Sequence, residues 1–344
     1  MRPFECACGA RVFFENTLCL LCGKELAFLP DVGRMGTFEP PLEQAASLTP
    51  VGDTGSYRRC DNHSTGAACN WMVPAHDRET LCQACRLNNV IPDLSQQQNR
   101  ELWGKTESAK RSLVYSLNRL RLPVVPKSVD PERGLAFDIK NDTGQARVMT
   151  GHDDGLITLN LKEADPVLRE KARLAMRERY RTLLGHFRHE VGHYYWDRLL
   201  RDGSRLGDFR TLFGDERMDY GQALQQHYGR EPSEDWKGSF VSAYATSHPW
   251  EDWAETWAHY LHMVDTLETA HAYGVSGNSA SAPDDSSNAF DILVTQWLGL
   301  TVILNALSRS MGQEDLYPFE LGGGVQQKLA FVHEIVATHA TDTA

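Results

Sequence analysis

Two sets of residues in this chain are spaced to hold metal ions. The first lies in "GHFRHEVGHYYWDRL", residues 185–199, where His189 and His193 stand four apart and Glu190 follows the first. On an α-helix, positions i and i+4 lie one above the other, so both imidazoles can reach one ion. Glu190 then sits where its carboxylate can touch a metal-bound water without ligating. Zinc lowers the pKa of such a water to about 7, and a neighbouring carboxylate can take the proton. His186 is one turn earlier; i, i+3 and i+7 do not converge easily, so it is left out. A pentapeptide of this kind also arises by chance, and a third ligand has to be found.

One arrangement places a third histidine six residues after the second. That position is Leu199, and the glycine expected between is Trp196, which excludes it. The other arrangement takes a glutamate from a later helix, and "SAYATSHPWEDWAETWAHYLHMVDTL" at 242–267 supplies two. Pro249 suits a helix start, and Trp250, Trp253 and Trp257 form an aromatic packing stripe. Glu251 and Glu255 share one face. Glu251 is the favoured ligand and Glu255 the favoured hydrogen-bond partner of a ligand histidine, fixing its tautomer; the reverse assignment stays open. Tyr244, just before this helix, could point its hydroxyl at a developing oxyanion. Asp215, Glu216 and Asp219 read as supporting or surface groups, and His248, His259 and His262 as structural.

The second set is the cysteines. All eight lie between residues 6 and 85: Cys6, Cys8, Cys19 and Cys22, then Cys60, Cys69, Cys82 and Cys85. Short loops closed by two thiolates fit tetrahedral zinc, and segments this small could hardly fold on an apolar core alone. Two structural zinc sites, paired sequentially rather than cross-braced, are expected. His63 and His76 could substitute for a cysteine, but eight thiols make that unnecessary. A disulfide framework would need a secreted chain, and a redox role for the Cys-x-x-Cys pairs would need a surrounding βαβ pattern.

The start, "MRPFECACGARVFF", lacks an apolar stretch with a cleavage site, and "WLGLTVILNALS" reads as too short and interrupted to span a bilayer. A cytoplasmic protein without a membrane segment is therefore expected, where thiols stay reduced and bind metal. The formal charge of −11 argues against a general nucleic-acid binder.

The secondary structure carrying these groups can also be read. "GLAFDIK" and "LITLNLK", either side of "GHDDG", alternate and read as a hairpin or small antiparallel sheet whose edge could hold an extended peptide. Asp165 and Pro166 start a helix. Tyr180, Leu184, Phe187, Val191 and Tyr195 mark the core face of the helix carrying the histidines. "FDILVTQWLGLTVILNALSRSMG" and "VQQKLAFVHEIVATHA" read as two apolar-faced helices, and 273–288 as a surface loop.

"GHFRHEVGHYYWDRL" together with "SAYATSHPWEDWAETWAHY" resembles the gluzincin metallopeptidases, in which a glutamate from a later helix joins the His-Glu-x-x-His pair. With the cysteine-rich start, "CNWMVP" and "LCQACRLN", the chain more closely resembles a bacterial family of zinc-ribbon-containing, zinc-binding metallopeptidases over nearly its whole length. The resemblance implies His189, His193 and Glu251 as ligands, Glu190 as general base and Tyr244 as oxyanion donor. The fold class expected is α+β: zinc ribbons at 1–26 and 57–90, a Pro/Gly/Ser-rich linker at 27–56, and a mainly helical gluzincin-like domain at 91–344 with a small antiparallel sheet. The function expected is zinc-dependent hydrolysis of a protein or peptide, with one catalytic and two structural Zn2+ ions. The ribbons would serve structure or recruit a protein partner. The rival is a zinc-ribbon module, binding protein or nucleic acid, fused to a peptidase-like domain that no longer cuts.

Overall fold

The computed structural model describes residues 2–40, 47–143, 147–176, 178–229, 234–275 and 289–342. The chain divides into two compact units, one of residues 1–119 and 123–176, the other of residues 120–122 and 177–344. Most of the loop expected at 273–288 lies outside the described residues. The expected α+β class holds, with the cysteine segments first and a mostly helical region after them.

In the first unit the cysteine segments build two-stranded ribbons. Strands β1 (Phe4–Glu5) and β2 (Arg11–Val12) pair antiparallel around the first cysteines, and β5 (Tyr57–Arg59) pairs with β6 (Met72–Pro74) around the second. Between them, the segment read as a linker forms a regular hairpin, β3 (Glu25–Leu29) with β4 (Arg34–Phe38). This corrects the expectation. Pro30 and Gly33 lie in its turn, while Leu26, Phe28, Leu29, Met35 and Phe38 are buried. Phe28 donates its backbone N–H to Asn70 O at 2.8 Å and packs on Trp71, 4.8 Å between ring centroids. Phe14 meets Phe28 at 4.9 Å and Tyr115 of the long helix α1 (Gln97–Arg119) at 5.2 Å. Aromatic packing thus joins both cysteine segments to α1.

The sheet beyond α1 also differs from expectation. Strands β7 (Asn88–Val90), β8 (Ala136–Lys140), β9 (Gly151–Asp153) and β10 (Leu156–Asn160) run in the order β7-β8-β10-β9. The β8–β10 pair is parallel, with Phe137 opposite Ile157 and Ile139 opposite Leu159. The hairpin is β9–β10, with Leu156 opposite Asp153. Asp154 (φ 43°) and Gly155 (φ 79°) occupy the left-handed region, as a two-residue turn requires, and such a turn pairs the residues immediately flanking it. Leu135, Phe137, Ile139, Ile157, Leu159 and Leu161 are fully buried, as the alternation implies. Ala136, Asp138 and Asn160 on the opposite side are buried as well, so the sheet does not have the single buried face expected.

Helix α2 (Pro166–Ala175) closes the unit. The Asp165 carboxylate caps it, accepting from Val167 and Leu168 N–H, and Pro166 follows.

The second unit is helical: α3 (Leu183–Leu199), α4 (Leu206–Phe213), α5 (Tyr220–Gly229), α6 (Pro249–Ala272), α7 (Ala289–Ser310) and α8 (Gly323–Asp342). Thr182 caps α3 by accepting from Gly185 N–H at 2.9 Å, and the His248 ring caps α6 by accepting from Trp250 N–H at 3.1 Å. Trp253 and Trp257 of α6 are fully buried, as an aromatic stripe implies. Helix α7 has 22 residues and is long and apolar enough to cross a membrane by length and composition. The expectation that its apolar run is too short is corrected, because "FDILVTQ" extends it. Val294, Trp297, Leu300 and Thr301 bury one face of α7 within the unit. Lys328 of α8 is buried against α6, its ammonium donating to Asp252 Oδ2 at 2.6 Å and Ser239 O at 2.7 Å.

Candidate metal centre

Helices α3 and α6 approach closely because position 192 carries no side chain. A Cβ on Gly192 would lie 3.0 Å from Ala254 Cα and 3.2 Å from Trp257 Cβ. Trp253 Nε1–H donates to Gly192 O at 2.8 Å, and Tyr195 stacks on Trp257 at 5.0 Å. Gly192→Val is therefore expected to overpack this contact and cost about 1–3 kcal/mol, read as a lower urea midpoint. An unchanged midpoint would show that the helices can part without cost.

That approach brings together His189, His193 and Glu251, whose ligand atoms all lie within 4.8 Å of one another. Glu251 Oε2 is 3.0 Å from His189 Nε2 and 3.6 Å from His193 Nε2. Ligands about 2.0–2.2 Å from a tetrahedral zinc are separated by about 3.3–3.6 Å. The His193 distance matches this, the His189 distance is a few tenths of an ångström shorter, and the two-imidazole, one-carboxylate donor set is of the kind zinc takes. His189 Nδ1 donates to Glu255 Oε1 at 2.8 Å, and Glu255 Oε2 accepts from the Ser242 hydroxyl at 2.6 Å. Carboxylates only accept, so Nδ1 donates to Glu255, and Nε2, which faces Glu251 Oε2, is the atom aimed at the cluster. His193 lies against Trp250, 4.0 Å between ring centroids.

Burial disfavours a charged His189, but the two carboxylates beside it outweigh this and hold its pKa well above the ordinary value. For Glu251 the balance runs the other way: burial pushes the carboxyl up, and His193 and His189 pull it well below the usual range. A proton and a metal thus compete for one position between these groups. Glu190 is buried, 7% exposed, and burial raises its carboxyl despite the two imidazoles.

Tyr244 lies in a short turn before α6, its ring centroid 6.0 Å from that of His189. The other candidates stay outside the cluster. Asp215 pairs with Arg217, Glu216 pairs with Arg210, and Asp219 accepts from Gln222 N–H. His248 caps α6, His259 meets the Tyr317 hydroxyl at 3.2 Å, and the His262 ring stacks on that of Tyr317.

The eight cysteines gather as two sets, Cys6, Cys8, Cys19 and Cys22, and Cys60, Cys69, Cys82 and Cys85. None forms a disulfide. Sulfur–sulfur distances of 3.6 Å (Cys6–Cys22), 3.8 Å (Cys8–Cys19) and 3.7 Å (Cys69–Cys82) match the edge of about 3.8 Å that four thiolates make around zinc. The two sets differ in setting. Cys8 and Cys22 are exposed, whereas all four cysteines of the second set are buried. Beside the second set, Cys85 Sγ lies 3.8 Å from Glu107 Oε2, and the buried Lys110 donates to Glu107 Oε1 at 2.7 Å. Arg111, also buried, donates to Ala67 O at 3.3 Å.

Comparison with known proteins agrees with this organisation. Residues 99–335 match a family model described as "Putative zinc-binding metallo-peptidase", and residues 3–96 match a zinc-ribbon domain. The chain belongs to this metallo-peptidase family. An uncharacterized protein of Mycobacterium bovis is 44% identical to it over 346 residues, covering 99% of this chain and 97% of the relative. Two uncharacterized proteins from Mycobacterium tuberculosis strains match with the same identity and coverage. No solved structure matches the chain. The family's peptidase model begins inside α1, so it spans both compact units.

Two polar contacts of the cluster escape a reading of the sequence. The Tyr220 hydroxyl donates to Glu251 Oε1 at 2.6 Å, and Ser242 supports Glu255 as described above. Tyr220 stands 31 residues before its partner, in a segment notable only for its acids, and no spacing rule links a phenol to so distant a carboxylate. Ser242 precedes Tyr244 by two residues and could have been suspected from that proximity.

Proposed function

We propose that the chain is a zinc-dependent metallopeptidase that hydrolyses peptide bonds at the His189–His193–Glu251 cluster. The observation that carries this reading is the convergence of those three ligands with a buried carboxylate, Glu190, beside the first of them. Zinc bound by these residues supplies a Lewis acid that polarises the scissile carbonyl and makes water acidic near neutral pH.

The protein's own groups do the rest. Glu190 takes the proton from the attacking water and returns it to the leaving amine, a role suited to a buried carboxyl that ionises less readily than an exposed one. Glu255 keeps His189 in the tautomer that presents Nε2, and Ser242 keeps Glu255 in place. Tyr244 is the donor proposed for the tetrahedral oxyanion. The two four-cysteine sites hold the ribbons together, and a protein substrate or partner is the class of molecule they would engage.

Elemental analysis tests the reading at its base. Three clusters predict three zinc ions per wild-type chain, and two after His193→Ala. Two ions in both proteins, with zinc supplied in excess, would leave the histidines without a metal and the peptidase reading without a site.

A further inference from the structure

Glu251 presents one oxygen to the histidines and the other to a phenol. Oε2 faces both Nε2 atoms, at 3.0 Å and 3.6 Å, while Oε1 accepts the Tyr220 hydroxyl at 2.6 Å. The Tyr220 ring is held edge-on against His248 and Trp250, at 5.3 Å and 6.0 Å between centroids. Those two residues flank the start of α6, and Trp250 also lies against His193. Met218 O, next to α5 in the chain, is 3.2 Å from His248 Nε2. These contacts hold the inner side of a ring that is 39% exposed and aim its hydroxyl at Oε1.

Helix α5 itself buries no residue. It reaches the centre through Tyr220 and through His227, which meets the Thr246 hydroxyl at 3.4 Å and the Tyr244 ring at 5.9 Å. A surface helix without an apolar anchor is ordinarily marginal. Here it delivers a hydrogen bond to a carboxylate at the metal position.

We infer that Tyr220 is a positioning residue for the metal: by occupying Oε1 it holds Glu251 as a one-oxygen ligand with Oε2 turned to the histidines, and it couples α5 to metal binding. The inference rests on the proposed zinc site but concerns how tightly that site holds its ion, not whether peptides are cut. Partners of this kind hold a ligand's orientation and typically account for about 10–100-fold in metal affinity.

Competition for the third zinc against a chromophoric chelator tests it, on the full chain, for wild type, Tyr220→Phe and Tyr220→Leu. Tyr220→Phe keeps the ring and removes only the hydroxyl. It is expected to weaken the third site by about 10–100-fold, with the other two zinc ions retained and Tyr220→Leu adding little. Wild-type affinity in Tyr220→Phe would overturn the inference, whatever Tyr220→Leu does. If Tyr220→Leu alone weakens the site, the ring only packs and the hydroxyl has no role. A wild-type chain that takes up only two zinc ions would overturn the inference together with the peptidase reading, a result distinct from the others.

Discussion

Replacing Glu190 by Gln is expected to leave all three zinc ions bound and to lower peptide hydrolysis by about 10²–10⁴-fold, the usual contribution of a general base. Glutamine matches glutamate in shape, so the helix packing around this buried position changes little. It cannot accept and return a proton. Glu190 is not among the clustered ligands, so zinc content should stay at the wild-type value. Cleavage of a peptide library followed by mass spectrometry, with zinc measured on the same samples, reads both quantities. Hydrolysis that persists at the wild-type rate in Glu190→Gln would remove the mechanism while leaving the metal site intact. Loss of both zinc and activity would show that Glu190 acts on the metal rather than on water.

The second large effect concerns the first unit. Cys82→Ser is expected to remove one zinc ion and unfold the ribbons around it, seen as a collapsed near-ultraviolet signal from Trp71 and rapid proteolysis of the N-terminal region. All four thiols of this set are buried, and Trp71, fully buried, belongs to the aromatic group that ties the ribbons to α1. Structural zinc is worth about 10–16 kcal/mol in zinc-finger peptides, more than the whole stability of most small domains. Cys22→Ser, at the exposed end of the first set, should leave the Trp71 signal largely in place. Equal and mild losses in the two variants would mean that the second set does not organise the unit.

Local chemistry was the legible part of this protein. Two histidines four apart, cysteines in close pairs, Asp165 before Pro166 and Pro249 before the tryptophans all act within a turn or two of themselves. Their structural consequences follow from helix and turn geometry alone, and the structure brings those groups together. Pairing over longer range was not legible. "GHDDG" reads as a turn, yet Gly151–Asp153 within it is strand β9, which forms the hairpin with β10 while β8 runs parallel on the other side, since alternation marks faces and not neighbours. The hairpin β3–β4 was hidden by turn residues that resemble a linker. The division near residue 176 had no composition signal, because α1 and the sheet, read as part of the peptidase domain, pack with the ribbons. Tyr220 was missed for the same reason: its meaning comes from a contact that only the folded chain makes.

The buried pair of Lys328 and Asp252 bears on how short this protein can be made. Asp252 follows Glu251 directly, and burial, the largest influence, pushes its carboxyl up to about 7 against the pull of the Lys328 ammonium 2.6 Å away. A buried carboxylate stripped of its countercharge typically costs about 3–5 kcal/mol. Helix α8 lies more than seventy residues beyond the last ligand, and a trimmed expression fragment would naturally omit it. Such a fragment would leave that buried carboxyl without its partner, to carry an uncompensated charge or take up a proton one residue from Glu251, so a shortened piece carrying the metal ligands is expected to need Lys328.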